Sequence, residues 1–524
     1  MLLFFLAIAI TSNQQLKRLL KAYVLYFNKS YRSYPFELDF FRHLNLSLVY
    51  LLLVLTDNMT TVNPKVFKAY DIRGFYPQDI DEGGMADIVK AIYSFFIKND
   101  PEKPLTVVLG RDMRLSGPAL FEVAKKALVD CGATVIDIGL TSTPTMYFAV
   151  MKYRYDAGIQ ITASHNPKDY TGIKYLRRSG DQAIKISKNT GMLEVKDRVL
   201  RRDFIKQDSP GKIISRPHVL KDEVKDALSY VRPPNRKRLK VAIDPANGMG
   251  IEYTSELFHQ YPADLVKLNF KLDGSFPAHQ PDPLQFQLLK DLQETVVQEK
   301  ADLGIAPDGD GDRVFFIDEK GVIVPATLIA SLIAKEILEE KPGAAIVADI
   351  RYLRNVVNAL KKYGGRLSVS PVGHALITEQ VNRENAVFAG ESSGHFYFGD
   401  LGGAESALRV VAYVLKAIQT ANQPLSKILA PLKTNCESGE FNYVLPEALE
   451  TKTIFDQLTG LFPDGQANRL DGLAIDYPAW RFGVRTSNTE PLLRLNVEGE
   501  NESLVKEKLK QIQRLIIQMG GKAK

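Results

Sequence analysis

Cysteine is almost missing from this chain: two thiols, Cys131 and Cys436, stand far apart in 524 residues. That scarcity excludes a disulfide framework and a cysteine metal site, and it suits a reducing compartment such as the cytoplasm. Charge of one sign is equally scarce. The formal net charge is +6, and residues 1–58 hold six Lys and Arg against three acids, so the rest carries 61 basic and 58 acidic groups. Such a balance is no nucleic-acid footprint, though local basic pockets for a phosphorylated ligand stay open. Apolar runs are short as well. Met1–Ile10 has no basic segment before it and no small-residue cleavage site after it, as a signal peptide would. Leu46–Leu55 is about half of the ~20 residues that a spanning helix needs. No membrane partner is expected.

What is present is an ordinary globular composition, 45% hydrophobic and 24% charged, with chain enough for three or four domains. Residues 1–63 read as an atypical N-terminal extension. The preferred explanation is translation from Met59, with the upstream stretch a gene-model artefact. The rival is an interfacial helix over Gln15–Phe27, where basic and apolar residues mix.

From residue 64 onward, short β-branched runs alternate with helical periodicity, which predicts layered α/β units. In the first, at 64–212, Phe67–Gly74 reads as an edge strand and turn that presents Arg73. Leu105–Leu109 is a strand, and Gly110–Pro118 a polar loop. The spacing of Leu120, Val123, Ala124, Ala127, Leu128 and Cys131 predicts a helix that Gly132 stops. Thr134–Ile138 is another strand. Ala157–Ile161 then delivers Thr162-Ala163-Ser164-His165-Asn166-Pro167. A hydroxyl there, with an imidazole beside it and the Lys174 ammonium ten residues on, is either an activated nucleophile or a phosphate carrier; otherwise Ser164 and Asn166 merely shape a turn. His165 cannot simply be read as its base, because adjacent side chains usually point apart and a base must reach the proton in space.

The second unit, 213–322, holds the strongest signal. The strand Leu303–Pro307 runs into Asp308-Gly309-Asp310-Gly311-Asp312-Arg313, where three alternate carboxylates can converge on one hard cation. An EF-hand is excluded: its sixth loop position needs Gly and here is Arg313, and Val314–Ile317 looks like a strand. In the third unit, 323–434, Ala344–Ile350 is a strand, Leu353–Tyr363 a helix, and Pro371–Ala375 a turn carrying His374. Val387–Ala389 then leads into Gly390-Glu391-Ser392-Ser393-Gly394-His395. By residue type alone Glu391 is a cap or surface acid, and His395, with an unperturbed pKa near 6.5, suits proton transfer. The fourth unit, 435–524, places Arg485, Ser487, Asn488 and Thr489 in one polar loop suited to a phosphate dianion, followed by the alternating strand Leu492–Val497 and a helix over Glu502–Met519.

Those four loops, in this order, resemble the α-D-phosphohexomutases, the phosphomannomutase/phosphoglucomutase family, over about residues 64–520. The resemblance implies three similar mixed α/β domains plus a smaller α+β C-terminal domain around a central cleft. It implies a phosphoserine at Ser164, and Mg²⁺ held by Asp308, Asp310, Asp312 and the seryl phosphate. Arg73, Arg313, Lys174, His165 and His395 would surround the reacting phosphoryl group. Glu391 and Ser393 would read sugar hydroxyls, with His374 near the substrate. Arg485, Ser487, Asn488 and Thr489 would hold the phosphate that is not reacting. The implied activity is interconversion of hexose 6-phosphate and hexose 1-phosphate of mannose or glucose through a hexose 1,6-bisphosphate, which also serves as activator, by a cytoplasmic monomer or homodimer. The alternatives are a phosphoglucosamine mutase, which tends to carry Gly in place of Asn488, a metal-dependent phosphatase, or a sugar-phosphate binder without catalysis.

Overall fold

The computed structural model describes residues 62–524 except 232, 233, 235, 236, 447, 448 and 488–491. The readings for Met59 as the start, for the extension before it and for a helix at Gln15–Phe27 therefore lie outside the described residues, as do Asn488 and Thr489. Among the described residues no helix is long and apolar enough to cross a membrane.

Four sheets follow one another along the chain. The first contains β1 (Ile72–Phe75), β2 (Thr106–Arg111), β3 (Thr134–Leu140), β4 (Ala157–Ile161), β5 (Tyr170–Ser179), β6 (Gln182–Lys185) and β7 (Lys212–Ser215), in the order β1-β5-β4-β2-β3-β7 with β6 beside β5. The second contains β8 (Lys240–Ile243), β9 (Asp264–Lys267), β10 (Leu303–Pro307), β11 (Val314–Ile317) and β12 (Ile323–Val324), in the order β12-β11-β10-β8-β9. The third contains β13 (Ala345–Asp349), β14 (Arg366–Ser370), β15 (Phe388–Gly390), β16 (Phe396–Phe398) and β17 (Ala404–Glu405), in the order β14-β13-β15-β16-β17. The fourth is antiparallel throughout: β18 (Cys436–Val444), β19 (Gln466–Asn468), β20 (Leu473–Asp476), β21 (Trp480–Thr486), β22 (Leu492–Gly499) and β23 (Lys522–Ala523).

One topological event recurs in the first three sheets. A buried parallel strand is followed at once by an antiparallel neighbour: β4 by β5, β10 by β11 and β15 by β16. Each of these turns carries one expected functional loop, and β4 and β10 are buried at all five positions. Parallel strands covered on both faces read as near-continuous apolar sequence, broken in β4 only by Gln160, which donates to the Thr141 carbonyl, and that makes the loops they deliver legible.

The predicted helix after the polar loop runs over Gly117–Asp130, and Gly132 beyond it has φ +85°. A left-handed residue past a helix end favours glycine. Two readings need correction. Helix Thr143–Lys152, which sequence periodicity overlooks, is buried on nearly every side, so it has no polar stripe; Ser142, which accepts from the Thr145 N–H, and Pro144 in its first turn were the available signal. The turn read at Pro371–Ala375 ends earlier, because His374 already begins the helix His374–Glu384.

One continuous apolar cluster joins the first three sheets through Met146, Val241, Ile333 and Val411, whereas the fourth sheet and helix Glu502–Gln518 close a core of their own around Phe482, Leu495 and Ile512. Fully burying one such side chain stabilises the fold by about 1.5–3 kcal/mol.

Candidate active site

The turn after β4 brings Ser164 onto the turn after β10. Ser164 is fully buried with φ +51°, a conformation that a residue with a side chain seldom adopts. Its Oγ lies 3.2 Å from Asp308 Oδ2. Gly309 permits the approach, since a Cβ there would stand 2.5 Å from the Ser164 carbonyl oxygen. The Nδ1 of His165 is 3.2 Å from the same Oγ. Neighbouring in sequence, the two side chains nonetheless converge, which corrects the expectation that they diverge. The left-handed turn at Ser164 is what folds the hydroxyl back. Arg313 Nη2 also meets His165 Nδ1, at 3.0 Å. Burial, and then the charges of Arg313, Arg73 and Lys174, hold the His165 pKa well below the usual imidazole value.

Lys174 does fold back, because β5 pairs antiparallel with β4 and sets Lys174 opposite Gln160. Its Nζ donates to Asp310 Oδ2 at 2.8 Å and to Asp312 Oδ2. Burial disfavours the ammonium, but Asp310 and Asp312 outweigh it and its pKa is raised. Lys174 is thus a buried cation held by two carboxylates. Asp310 Oδ2 takes a further bond from Thr143 Oγ1 at 2.5 Å.

The three aspartates are buried, and one ligand oxygen of each lies within 4.8 Å of the others. Burial, with Asp312 and Asp310 close by, pushes the Asp308 pKa up to about 7. Burial also acts on Asp312, but Lys174 and His395 outweigh it and keep that carboxyl well below its usual range. The Oδ1 atoms of Asp310 and Asp312 are buried with no hydrogen-bond partner. Three hard, desolvated carboxylates this close together, with an oxygen of Asp310 unpartnered, fit a hard divalent cation.

The turn after β15 closes on this cluster. His395 Nε2 is 3.3 Å from Asp312 Oδ1, and Nδ1 is 3.1 Å from Glu391 Oε2 and 3.0 Å from Ser393 Oγ. Burial opposes charge on the ring, but Asp312 and Glu391 overcome it and raise the pKa to about 9. The unperturbed value assumed from sequence is thus corrected: between two carboxylates His395 is an imidazolium at neutral pH. Arg313 Nε, 3.3 Å from His395 Nε2, is then a neighbour rather than a donor to it. Glu391 also accepts from Arg351 Nη2 at 3.1 Å and Tyr397 OH at 2.8 Å. Ser392 is spent on Asp349, to which its N–H and Oγ both donate, at 2.6 and 2.8 Å.

A cavity of about 1120 Å³ opens beside these groups, lined by Arg73, His165, Arg313, His374, Glu391, Ser393 and His395 and, from the fourth sheet, by Glu440 and Arg494, while Ser164, Lys174 and the three aspartates are not part of its lining. Arg73 donates to Asn166 Oδ1 at 2.6 Å and pairs with Asp71. His374 has both ring nitrogens without a hydrogen-bond partner, and burial holds its pKa well below the ordinary value. The expected phosphate loop is the exception. Arg485 is buried against Asp471, 3.1 Å away, and neither Arg485 nor Ser487 lines the cavity.

Two arginines escaped sequence reasoning. Arg114 is 1% exposed and donates to the carbonyls of Ser164, Asn166, Pro167 and Tyr170 at 2.7, 2.6, 2.7 and 3.1 Å. It clamps the whole serine loop, backed by Asp112 at 3.3 Å. Arg351 links Asp349, at 2.9 Å, to Glu391. Both stand where a polar loop or strand end was visible, but their partners lie tens of residues away in sequence.

Fold and site together define an intramolecular phosphotransferase of sugar phosphates, and comparison with known proteins gives the family. Models of phosphoglucomutase/phosphomannomutase domains match in sequence order: the alpha/beta/alpha domains I, II and III at residues 64–197, 221–321 and 327–435, and the C-terminal domain at 450–515. The chain belongs to the phosphoglucomutase/phosphomannomutase family. A phosphomannomutase of Vibrio cholerae is 35% identical over 461 residues, 86% of this chain and 98% of the relative. One of Methanocaldococcus jannaschii is 35% identical over 459 residues, 87% of this chain and 98% of the relative. Among solved structures, a family protein from Burkholderia thailandensis superimposes with a TM-score of 0.79 at 28% identity, covering 88% of this chain and 99% of that one.

Proposed function

We propose that the chain interconverts hexose 6-phosphate and hexose 1-phosphate, of mannose, glucose or both, by way of a phosphorylated Ser164 and a hexose 1,6-bisphosphate. The observation that carries this reading is the meeting of Ser164 Oγ with Asp308 and with His165 Nδ1, each at 3.2 Å, where His165 and Arg313 line a cavity large enough for a phosphosugar. In the first half, the oxygen of the free sugar hydroxyl bonds to the seryl phosphorus as the Oγ–P bond breaks. The proton lost by that hydroxyl balances the one that Oγ must gain, and His165, neutral and 3.2 Å from Oγ, is placed to relay it. In the second half the intermediate, turned over, gives its other phosphoryl group back to Ser164.

The chain's fixed cations do the positioning. Lys174, Arg313, Arg73 and the His395 imidazolium surround the transferring group and stabilise its equatorial oxygens. Asp308, Asp310 and Asp312, with a seryl phosphate oxygen, would hold Mg²⁺, which supplies charge neutralisation there when bound. Glu391 and Ser393 accept sugar hydroxyls, with Arg351 and Tyr397 fixing the Glu391 carboxylate. Arg485, Ser487, Asn488 and Thr489 hold the phosphate that is not reacting, once Arg485 exchanges Asp471 for it. The bisphosphate doubles as activator by rephosphorylating Ser164. The four units divide at about 212, 322 and 434, and the enzyme works in the cytoplasm as a monomer or homodimer.

The deciding experiment is a coupled assay of mannose 1-phosphate, glucose 1-phosphate and glucosamine 1-phosphate with catalytic bisphosphate and Mg²⁺, with released phosphate measured in parallel. Isomerisation of either hexose with little phosphate release is expected. Steady phosphate release without isomerisation refutes the reading in favour of a phosphatase.

A further inference from the structure

The cavity holds one carboxylate in an unexpected place. Lys68, Arg73, Arg313, Arg351 and Arg494 line it, as suits a phosphorylated ligand, yet with Asp71, Glu391 and Glu437 so does Glu440 from the fourth sheet, and Glu440 sits between two of those arginines. Its position follows from an irregularity in β18. That strand pairs with β22 at Cys436 and Glu437, slips at Ser438 and Gly439, and resumes with Glu440 opposite Asn496. Gly439 has φ +80°, and such a bulge re-aims the side chains that follow it. The Glu440 carboxylate thereby reaches across a sheet boundary. Oε1 is 3.1 Å from Arg494 Nη1 on the adjacent β22, and Oε2 is 3.9 Å from Nη1 of Arg351, just beyond β13. Oε2 is buried with no hydrogen bond, so leaving costs this carboxylate less than it would a fully bonded one. Its side chain retains 26% exposure, which leaves it a way into water.

We propose that Glu440 is a tethered substitute for the phosphate of the substrate. It faces Arg351 Nη1 and Arg494 when no phosphate is bound. It yields them to the non-reacting phosphate of a phosphosugar, as further donors beside the Arg485 loop, and so weakens the enzyme's hold on that group, while Arg351 Nη2 stays on Glu391. This rests on the mutase reading and extends it to affinity. Carboxylate and phosphate oxygens want the same forked donors, and two anions side by side in a partly dry cleft repel. The arrangement suits a reaction whose bisphosphate must let go and turn, since grip shared equally by ground and transition states does not raise turnover.

The test is calorimetric titration of inorganic phosphate and of glucose 6-phosphate into the full chain, as wild type and as Glu440→Gln. Glu502→Gln serves as a control that removes one exposed acid from the same unit. Glu440→Gln is expected to bind both probes roughly three- to fivefold more tightly at low salt, the scale of a partly exposed ion pair. The gain should shrink with added salt, KM should fall and kcat should not rise. Unchanged binding overturns the proposal; so does weaker binding, which would make Glu440 an organiser of the arginines, and so does an equal gain in Glu502→Gln, which would reflect overall charge. A wild-type chain that binds phosphate but isomerises no hexose phosphate sinks the mutase reading instead, so the two failures are read apart.

Discussion

The two ends of the cleft differ in readiness. At the reacting end, groups from three sheets already touch: Ser164 meets Asp308, Lys174 meets Asp310 and Asp312, and His395 sits between Asp312 and Glu391. At the far end Arg485 is turned to Asp471 and outside the cavity. The difference follows the cores. One apolar cluster touches each of the first three sheets, though the strand that delivers Ser164 also packs in a cluster of the first unit's own, while the fourth sheet packs around a separate core. Phosphoryl transfer needs placement to a fraction of an ångström; the role proposed for the Arg485 loop does not.

That contrast can be broken at several points. The largest effect is expected for Ser164→Ala, which should lower turnover by roughly a thousandfold or more while leaving substrate binding within a few fold; near wild-type turnover in the coupled assay would end its assignment as phosphoryl carrier. Chelation of divalent ions should abolish turnover yet leave the circular dichroism spectrum and the melting temperature nearly unchanged, because Lys174 still compensates Asp310 and Asp312; collapse of the fold on chelation would contradict that compensation. Next comes Arg114→Lys, which cannot bond four carbonyls with three N–H donors. It should cut kcat by about tenfold to a hundredfold with little change in KM, since it displaces the serine without touching the sugar; a loss confined to thermal stability would show a merely structural clamp.

At the far end the sign of the split reverses. Arg485→Ala should raise KM by about tenfold, the worth of a charge-assisted pair, and lower kcat less; kinetics identical to wild type would remove that loop from the site. The smallest effect is one of stability at the junction of the third and fourth sheets. Burial pushes the pKa of Glu437 up to about 8, while Thr327 and Asn355 donate to it. A carboxyl raised in the folded state contributes its full share only below its unfolded pKa, about 4.5, and loses it as pH climbs toward the folded value. Glu437→Gln, neutral throughout, should therefore gain in melting temperature relative to wild type between about pH 5 and pH 8; a constant difference across that window would contradict the raised folded-state value.

The sequence was most informative where a local pattern sufficed. Largely apolar strands, with Gln160 of β4 the one polar member, followed by Asn-Pro, Asp-Gly or Gly-Glu mark β4, β10 and β15 together with the loops they deliver, because both faces of those strands are covered. What stayed hidden depends on partners remote along the chain. Arg114 was visible as a residue of a polar loop, but only folding brings it to the carbonyls of Ser164 and Asn166. His395 was visible as an acid or base, but its raised pKa comes from Asp312 in one sheet and Glu391 in another. The bulge that turns Glu440 inward leaves no mark beyond a single Ser-Gly pair.

The ammonium of Lys174 among the aspartates has a consequence for the protein's life outside its reaction. A pocket built to attract divalent ions would, if bare, be a knot of mutual repulsion at the centre of the molecule. Here a tethered cation stands guard, so the acidic trio is compensated from within the chain itself.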